Sequence, residues 1–123
     1  MRKEIKSTPV YEDGKVYAFK DINPQAPVHV LIIPKDLQGL NKLSNAKEEN
    51  VAVLGYLLYA ASVIAKNLNL DNGYRIVINS GDDAGKYKII KNRFKSFIGQ
   101  TVDYIHVHLL GGAKFGWPPG TNF

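Results

Sequence analysis

The chain has 123 residues, of which 45% are hydrophobic and 22% charged, as in an ordinary single globular domain of residues 1–123. It contains no cysteine, which excludes a disulfide framework, a thiolate zinc site and a thiol nucleophile. No apolar run approaches the roughly 20 residues that span a bilayer, and Met1–Glu4 lacks the apolar start of a secretory leader. We therefore expect no membrane partner and a location in the cytoplasm or nucleus.

The net charge of +5 comes from one segment, Lys86–Ile98. This segment holds five of the 16 basic residues and no acidic one, so the remaining 11 basic residues match the 11 acidic residues. A chain that is basic throughout would indicate a nucleic-acid partner, whereas one basic insert does not. We therefore do not expect nucleic acid to be the main ligand.

Four segments have the β-branched apolar pattern of strands. In chain order these predicted strands are Lys15–Lys20, Val28–Ile33, Tyr74–Asn79 and Val102–Leu110. Turn-forming residues precede or follow each of them, namely Glu12–Gly14, the polar loop Asp21–Pro27, Asn72-Gly73 and Gly111-Gly112. The insert Lys86–Ile98 has mixed periodicity and is predicted to be a loop or short hairpin.

One long helix is predicted over Ala46–Leu68, where the apolar residues keep helical spacing. Asn45 followed by Glu48 resembles a capping box at its start, and Asn72-Gly73 ends it. The elements together predict an α+β domain in which one face of a mostly antiparallel sheet packs against the helix.

All three histidines of the chain lie in predicted strands. Alternation along the last strand places Tyr104, His106 and His108 on one face, about 6–7 Å apart. The intervening residues point into the core, and they are Ile105, Val107 and Leu109. Gly111-Gly112 follow at once and allow a sharp turn or a close approach to a ligand.

Three interpretations of these histidines are open. They can be ordinary half-exposed strand residues. His-x-His on a strand can also bind zinc, but spacing gives no clear third ligand, although His29 could reach, so we expect no metal. Third, an accessible neutral imidazole at His106 can attack phosphorus near pH 7, with His108, backbone amides near glycine and the Thr101 hydroxyl as donors or proton sources.

The last strand and the tail together resemble the histidine-triad (HIT) family. The motif residues are His106–Gly112 and Trp117–Gly120, and the most similar branch is that of the nucleotide-binding purine nucleoside phosphoramidases. Other segments that agree with this branch are Ala18–His29, Ile32–Lys35 and Gly73–Asn79. The resemblance covers nearly the whole chain except Lys86–Ile98.

The resemblance implies a five-stranded antiparallel sheet with one long helix, extended to ten strands in a homodimer. It also implies hydrolysis of purine nucleoside phosphoramidates and aminoacyl adenylates, as AMP or GMP conjugates, with no cofactor. His106 would be the nucleophile that forms a nucleotidyl-histidine intermediate. His108 would contact the phosphate, and His29 would orient this cluster.

The resemblance assigns the nucleotide's other contacts as well. Asp21 would bind the ribose hydroxyls, and Phe19 and Ile22 the nucleobase. Contacts to the phosphate or leaving group would come from Asn79, Gly99, Gln100 and the catalytic Thr101, while Trp117 would shape the substrate side of the site. Each of these residues also has an interpretation without ligand: Asp21 and Asn79 as turn residues, Phe19 and Ile22 as core, and Trp117 as an apolar anchor.

The sequence departs from the family pattern at several places. Tyr104 stands where the triad has its first histidine, and we expect this change to weaken activity rather than abolish it. Lys86–Ile98 interrupts the loop beside the phosphate contacts. Three interpretations of this insert are open: a basic flap for anionic substrates, a neutral surface extension, or a mistranslated or unspliced segment of the gene. Lys20 replaces a common histidine near the base, with an open effect on the preference for adenine or guanine.

Two other functions remain open at this point. Tyr104 and the insert favour a nucleotide-binding protein with little turnover. The basic residues of Lys86–Ile98 alone would favour an adaptor for RNA or for a protein partner, but the segment has few of the aromatic residues on which bases stack.

Overall fold

The computed structural model describes residues 8–81 and 105–119, and they form five strands and one α-helix. The elements are β1 (Tyr11–Glu12), β2 (Val16–Lys20), β3 (Val28–Pro34), α1 (Val51–Asn67), β4 (Tyr74–Val77) and β5 (Val107–Gly111). Two short 3₁₀ turns, Leu43–Asn45 and Glu48–Asn50, precede α1. The predicted α+β class, with a five-stranded antiparallel sheet and one long helix, is confirmed.

The sheet has the strand order β1-β2-β3-β5-β4, and all neighbours are antiparallel. The strand that carries His108 therefore lies inside the sheet, between β3 and β4. In the registers of β5 with its two neighbours, His108 lies opposite Leu31 on one side and Val77 on the other. The edge strands of the described sheet are β1 and β4.

The core lies between α1 and one face of the sheet. Its sheet residues alternate along the strands, and they are Val16, Ala18, Val30, Ile32, Val107 and Leu109. Its helix residues are Leu57, Ala60, Ala61, Ile64 and Ala65. The predicted inward direction of Val107 and Leu109 is thus confirmed, and alternation places His29 and His108 on the sheet face away from α1.

The long helix begins later than its apolar spacing predicts, at Val51 rather than Ala46. The predicted capping box of Asn45 and Glu48 does not form, since both residues lie in the 3₁₀ turns. The buried Asn50 immediately precedes the helix instead. Its side chain is held in place, because Oδ1 accepts from Lys47 N–H at 2.9 Å and Nδ2 donates to the backbone carbonyl of Gln38 at 3.1 Å.

Several strand boundaries also differ from the prediction. Glu12, expected in a turn, pairs with Tyr17 as part of β1. β4 ends at Val77, and β5 begins at Val107, so His106 immediately precedes the strand. The predicted residues 102–104 and the insert 86–98 lie outside the described residues.

The sharp bend predicted after the histidines occurs at Gly112, whereas Gly111 is still part of β5. Gly112 has φ 85°, in the left-handed region that favours glycine. A Cβ on Gly111 would lie 2.8 Å from the side chain of Leu70, so the strand and the segment after α1 meet closely. Within 8–81 and 105–119, no helix is both long enough and apolar enough to cross a bilayer.

Asp13 connects the β1–β2 turn to the helix. Its Oδ1 accepts from the backbone N–H groups of Lys15 and Val16 at 2.7 and 2.9 Å, and its Oδ2 accepts from the hydroxyls of Tyr11 and Tyr56 at 3.0 and 2.5 Å. Burial opposes ionisation of Asp13, but the bonds from Tyr56 and the two amides outweigh it and lower its pKa to about 2.

We predict that Asp13→Asn lowers the free energy of unfolding at pH 7 by about 1–2 kcal/mol, a figure reduced for partial exposure, because the amide nitrogen cannot accept from the tyrosines. The contribution of Asp13 is complete above pH 3.8 and is lost as the pH falls through about 2. Urea unfolding at pH 7 and pH 3 measures it, with the exposed Asp71→Asn as the control. An Asp13→Asn effect as small as that of Asp71→Asn would contradict the prediction.

Candidate active site

The three histidines and Asp21 come together along the paired segments of β3 and β5, with His108 between His29 and His106. The antiparallel pairing places His29 opposite Leu110, two residues from His108 along β5. Asp21 follows β2 directly, and its N–H donates to the carbonyl of His29 at 2.9 Å. Backbone hydrogen bonds of the sheet thus hold side chains from three separate parts of the chain in one cluster.

The cluster is closely packed. His29 Nε2 lies 2.9 Å from His108 Nδ1 and 3.5 Å from Asp21 Oδ2. The His106 ring meets the His108 ring edge to face, with centroids 5.0 Å apart and planes at 67°. His106 is 7% exposed and His108 is 4% exposed, so both imidazoles are buried. The prediction that the His106 imidazole is accessible is therefore wrong.

The loop between β2 and β3 closes over His29. The N–H of Gln25 donates to His29 Nδ1 at 3.0 Å, and the N–H of Asn23 donates to Asp21 Oδ1 at 2.7 Å. Both ring nitrogens of His29 are therefore engaged, one by the loop and the other by His108.

Two buried polar atoms of the cluster have no hydrogen-bond partner among the described residues. They are Asp21 Oδ2, apart from its 3.5 Å approach to His29, and His108 Nε2. A buried polar atom without a partner costs about 1–3 kcal/mol. Such atoms are typical of a site that is completed by a ligand, by water or by another part of the chain.

His29 and His108 are neutral at pH 7. Burial, together with smaller repulsions from His106 and His29, lowers the pKa of His108 to about 3. Burial also lowers the pKa of His29, and His106 adds to this effect, whereas the carboxylate of Asp21 opposes it.

The composition of the cluster also suits a metal ion, since donor atoms of Asp21, His29 and His108 all lie within 4.8 Å of one another. The hydrogen bonds do not suit it. Because His29 Nδ1 accepts from Gln25, the neutral ring carries its proton on Nε2, which faces the other two donors. A protonated nitrogen cannot bind zinc, and two nitrogens at zinc distances of about 2.0–2.1 Å would lie farther apart than 2.9 Å. The cluster as described does not fit a metal.

The other predicted contact residues are distributed around the cluster. Phe19 is buried opposite Leu31, which in turn lies opposite His108, and its ring stacks on Tyr17 at 5.8 Å. This row crosses the sheet face that carries the histidines, so Phe19 is buried on the site's side of the sheet and does not belong to the core packed on α1.

The remaining predictions have different outcomes. Ile22 is 53% exposed and Trp117 is 82% exposed, so neither residue is core here. Asn79 is half-buried beyond the end of β4. The predicted site residues Gly99, Gln100 and Thr101, together with Tyr104, lie outside the described residues.

Sequence reasoning missed two members of the cluster. It assigned Asp21 to the ribose and did not place its carboxylate against His29. It also did not find the Gln25 amide, because a backbone N–H has no sequence signature. The only usable signal was the hairpin itself, since a strand, a loop with two prolines and a second strand bring Asp21 and Gln25 back to His29.

Comparison with known proteins identifies the class. Residues 2–115 match the family profile described as HIT domain. The chain belongs to the HIT family. It is 52% identical to the "14 kDa zinc-binding protein" of Zea mays over 98% of this chain and 83% of the relative. It is 49% identical to "Adenylylsulfatase HINT1" of Arabidopsis thaliana over 96% of this chain and 71% of the relative.

Solved structures agree with the fold. A HIT family hydrolase from Legionella pneumophila Philadelphia 1 superposes with a TM-score of 0.77 and 37% identity, over 96% of this chain and 92% of that one. A histidine triad nucleotide-binding protein from Candida albicans superposes with a TM-score of 0.63 and 31% identity, over 98% and 80%. The family resemblance found in the sequence is thereby confirmed.

We predict that acid destabilises the protein through the buried histidines. The pKa values of His29 and His108 lie below the unfolded value of 6.5, so the unfolded chain binds more protons than the folded one. Their contribution to the free energy of unfolding is complete above pH 6.5. It is lost as the pH falls towards the folded pKa, which for His108 is about 3. Between pH 7.5 and 5.5 the free energy of unfolding should fall by about 1–3 kcal/mol. Urea unfolding of wild type and His108→Gln checks this, since the variant should lose about half as much. Equal stability of the wild type at both pH values would refute it.

Proposed function

We propose that this protein is a nucleotide hydrolase that cleaves purine nucleoside phosphoramidates and aminoacyl adenylates through a nucleotidyl-His106 intermediate. The observation that carries the proposal is the contact between His106 and a neutral His108 that is itself held by His29. Family membership and the names of hydrolase relatives support the broader activity. The cleaved bond and the intermediate are our extension of that support.

In the proposed reaction, the lone pair of a neutral His106 attacks the α-phosphorus. The bond from phosphorus to the leaving atom breaks, which is nitrogen in a phosphoramidate and oxygen in an aminoacyl adenylate. The leaving group departs with the electron pair, and an amine takes up a proton from solvent that the attacking water later returns. Water then attacks the nucleotidyl-histidine, releasing the nucleoside monophosphate and restoring His106. This chemistry needs a hydrogen-bond donor to the phosphoryl oxygens. His108 Nε2 can serve as that donor, because it is buried and has no hydrogen-bond partner among the described residues.

The nucleotide would lie along the sheet face away from α1. Phe19 shares a cross-sheet row with His108 and supplies apolar surface for the base. Asp21 Oδ2 is the acceptor for a ribose hydroxyl, since it has no full hydrogen bond among the described residues. Four further predicted contacts rest on the family resemblance alone: Ile22, Asn79, the segment Gly99–Thr101 and Trp117. Because the cluster is buried, substrate entry requires residues around it to move.

The alternative is a nucleotide-binding protein with little turnover. The burial of His106 favours it, as does the pKa of about 3 for His108, because that ring is scarcely protonated near pH 7 and so offers no cationic proton donor. An adenylylsulfatase among the relatives makes adenylyl sulfate a further substrate to test, since its adenylyl group presents the same α-phosphorus.

We predict that His106→Ala lowers the turnover of a fluorogenic adenosine phosphoramidate at least about a hundredfold, because the nucleophile is lost. Rapid quenching and intact mass measurement should reveal an adenylyl adduct in wild type and none in the variant. Lys66→Ala, at the exposed end of α1, is the control and should behave as wild type. Tight AMP binding without adduct or turnover in wild type would favour the alternative.

Zinc is not part of the proposal. Two relatives, from Zea mays and Brassica juncea, are named zinc-binding proteins. In this chain the hydrogen bonds of the cluster oppose metal binding, as described above.

We also propose that two copies join into one ten-stranded sheet through β4. The described β4 has a neighbour on one side only, whereas the other edge strand, β1, has just two residues. Large apolar side chains are exposed in the single chain, and a second copy would cover some of them: Val51, Leu58, Tyr59, Tyr74 and Trp117.

Spin labels test this arrangement, because the chain has no cysteine of its own. With a label at Tyr74→Cys, we predict that the two copies place their labelled residues within about 15 Å, as neighbouring antiparallel edge strands do. A label at Glu12→Cys, on the far edge, should give about 40 Å. Pulsed dipolar spectroscopy measures both distances. A monomer by light scattering, or a short distance for Glu12→Cys instead, would contradict joining through β4.

A further inference from the structure

A directed chain of hydrogen bonds runs through the histidine cluster. It starts at the Gln25 backbone N–H, which lies 3.0 Å from His29 Nδ1. It continues from His29 Nε2 to His108 Nδ1, 2.9 Å apart. A backbone amide can only donate, so the first bond fixes the direction of the second.

We propose that the Gln25 amide sets the position of the protons on two rings of this cluster. It holds His29 and His108 in the form protonated at Nε2, so that this pair presents one free N–H, on His108, and no imidazole lone pair for a metal. Gln25 thus acts as a positioning residue through its backbone. Asp21, His29 and His108 have the composition of a metal site. Their hydrogen bonds instead make His108 a hydrogen-bond donor to a ligand.

The opposite proton arrangement is unfavourable. A proton on His29 Nδ1 would face the Gln25 N–H at 3.0 Å, with two donors and no acceptor between them. His29 Nε2 would then have to accept from His108 Nδ1, leaving His108 Nε2 as a buried acceptor. Loss of a satisfied bond at a buried donor costs about 1–3 kcal/mol, enough to favour one arrangement at least fivefold.

The loop holds the Gln25 amide in place. Gln25 Nε2 donates to the carbonyl of Asn23 at 3.0 Å, and the N–H of Asn23 donates to Asp21 Oδ1 at 2.7 Å. The N–H of Asp21 donates to the carbonyl of His29 at 2.9 Å. The amide that acts on the His29 ring is therefore tied, through two other loop residues, to the backbone of His29 itself.

The proton arrangement has a consequence for ligands. His108 Nε2 is buried and has no hydrogen-bond partner among the described residues, so its N–H is available to an oxygen acceptor such as a phosphoryl group. Only this choice of acceptor rests on the proposed function. The arrangement itself is a property of the protein without substrate.

Nitrogen-15 NMR of the histidine rings tests the proposal in the protein without ligand. With only three histidines in the chain, His106→Gln assigns one ring, and long-range proton–nitrogen correlations identify the tautomers of the others. At pH 7.5 we expect unprotonated Nδ1 and protonated Nε2 for both His29 and His108. A proton on Nδ1 of either ring overturns the proposal, whether or not the protein is an active hydrolase. Predicted tautomers in an inactive protein would leave it intact.

A pair of variants isolates the backbone amide. Gln25→Pro removes the N–H, whereas Gln25→Ala keeps it and removes only the side-chain bond to Asn23. Without the N–H, His29 can carry its proton on Nδ1 and expose Nε2 to a metal. We expect a mixture of His29 tautomers in Gln25→Pro and at least about tenfold tighter zinc binding, measured by competition with a chromophoric chelator, because one opposed donor contact is removed.

Gln25→Ala should keep the wild-type tautomers and the weak zinc binding. If both variants bind zinc as wild type does and keep its tautomers, the amide does not set the proton positions and the proposal is wrong. Equal changes in both variants would also overturn it, since they would trace to the side chain. If Gln25→Pro does not fold, the wild-type spectrum decides alone.

Discussion

The antiparallel pairing of β3 with β5 is the interaction on which the rest of this structure depends. It buries one set of side chains against α1 and, by alternation, turns His29 and His108 to the opposite face. A shift of one residue in this register would exchange the two sets and place Val107 and Leu109 where the histidines are. The apolar packing on α1 therefore also fixes the geometry of the site.

Much of the fold followed from residue pattern alone. Val28–Pro34 is a strand because its β-branched run fits a strand buried on both faces, and the long helix follows from its apolar spacing. The start of that helix did not follow, because Asn50 bonds to Lys47 and to a distant carbonyl, and such tertiary bonds are invisible in a local pattern. The two-residue β1 was missed because it is shorter than any periodicity can reveal.

The site was predicted in part for a similar reason. The motif identifies His106 and His108, and the family resemblance adds His29. The approach of Asp21 to His29 and the bond from Gln25 depend on how the connecting loop folds back. Burial was also not predictable from His-x-His, since alternation states which way a side chain points but not how much of it is covered.

The interior position of β5 has a consequence for how such a protein changes its choice of substrate. With ladders to β3 and β4 on both sides, this strand cannot shift without breaking two rows of backbone hydrogen bonds. His106, the proposed nucleophile, immediately precedes this strand, so its backbone is anchored next to the two ladders. Under the proposed function, adaptation to different leaving groups would therefore fall to the loops that border the cluster. Variation in those loops can alter what enters while the central strand keeps its chemistry unchanged.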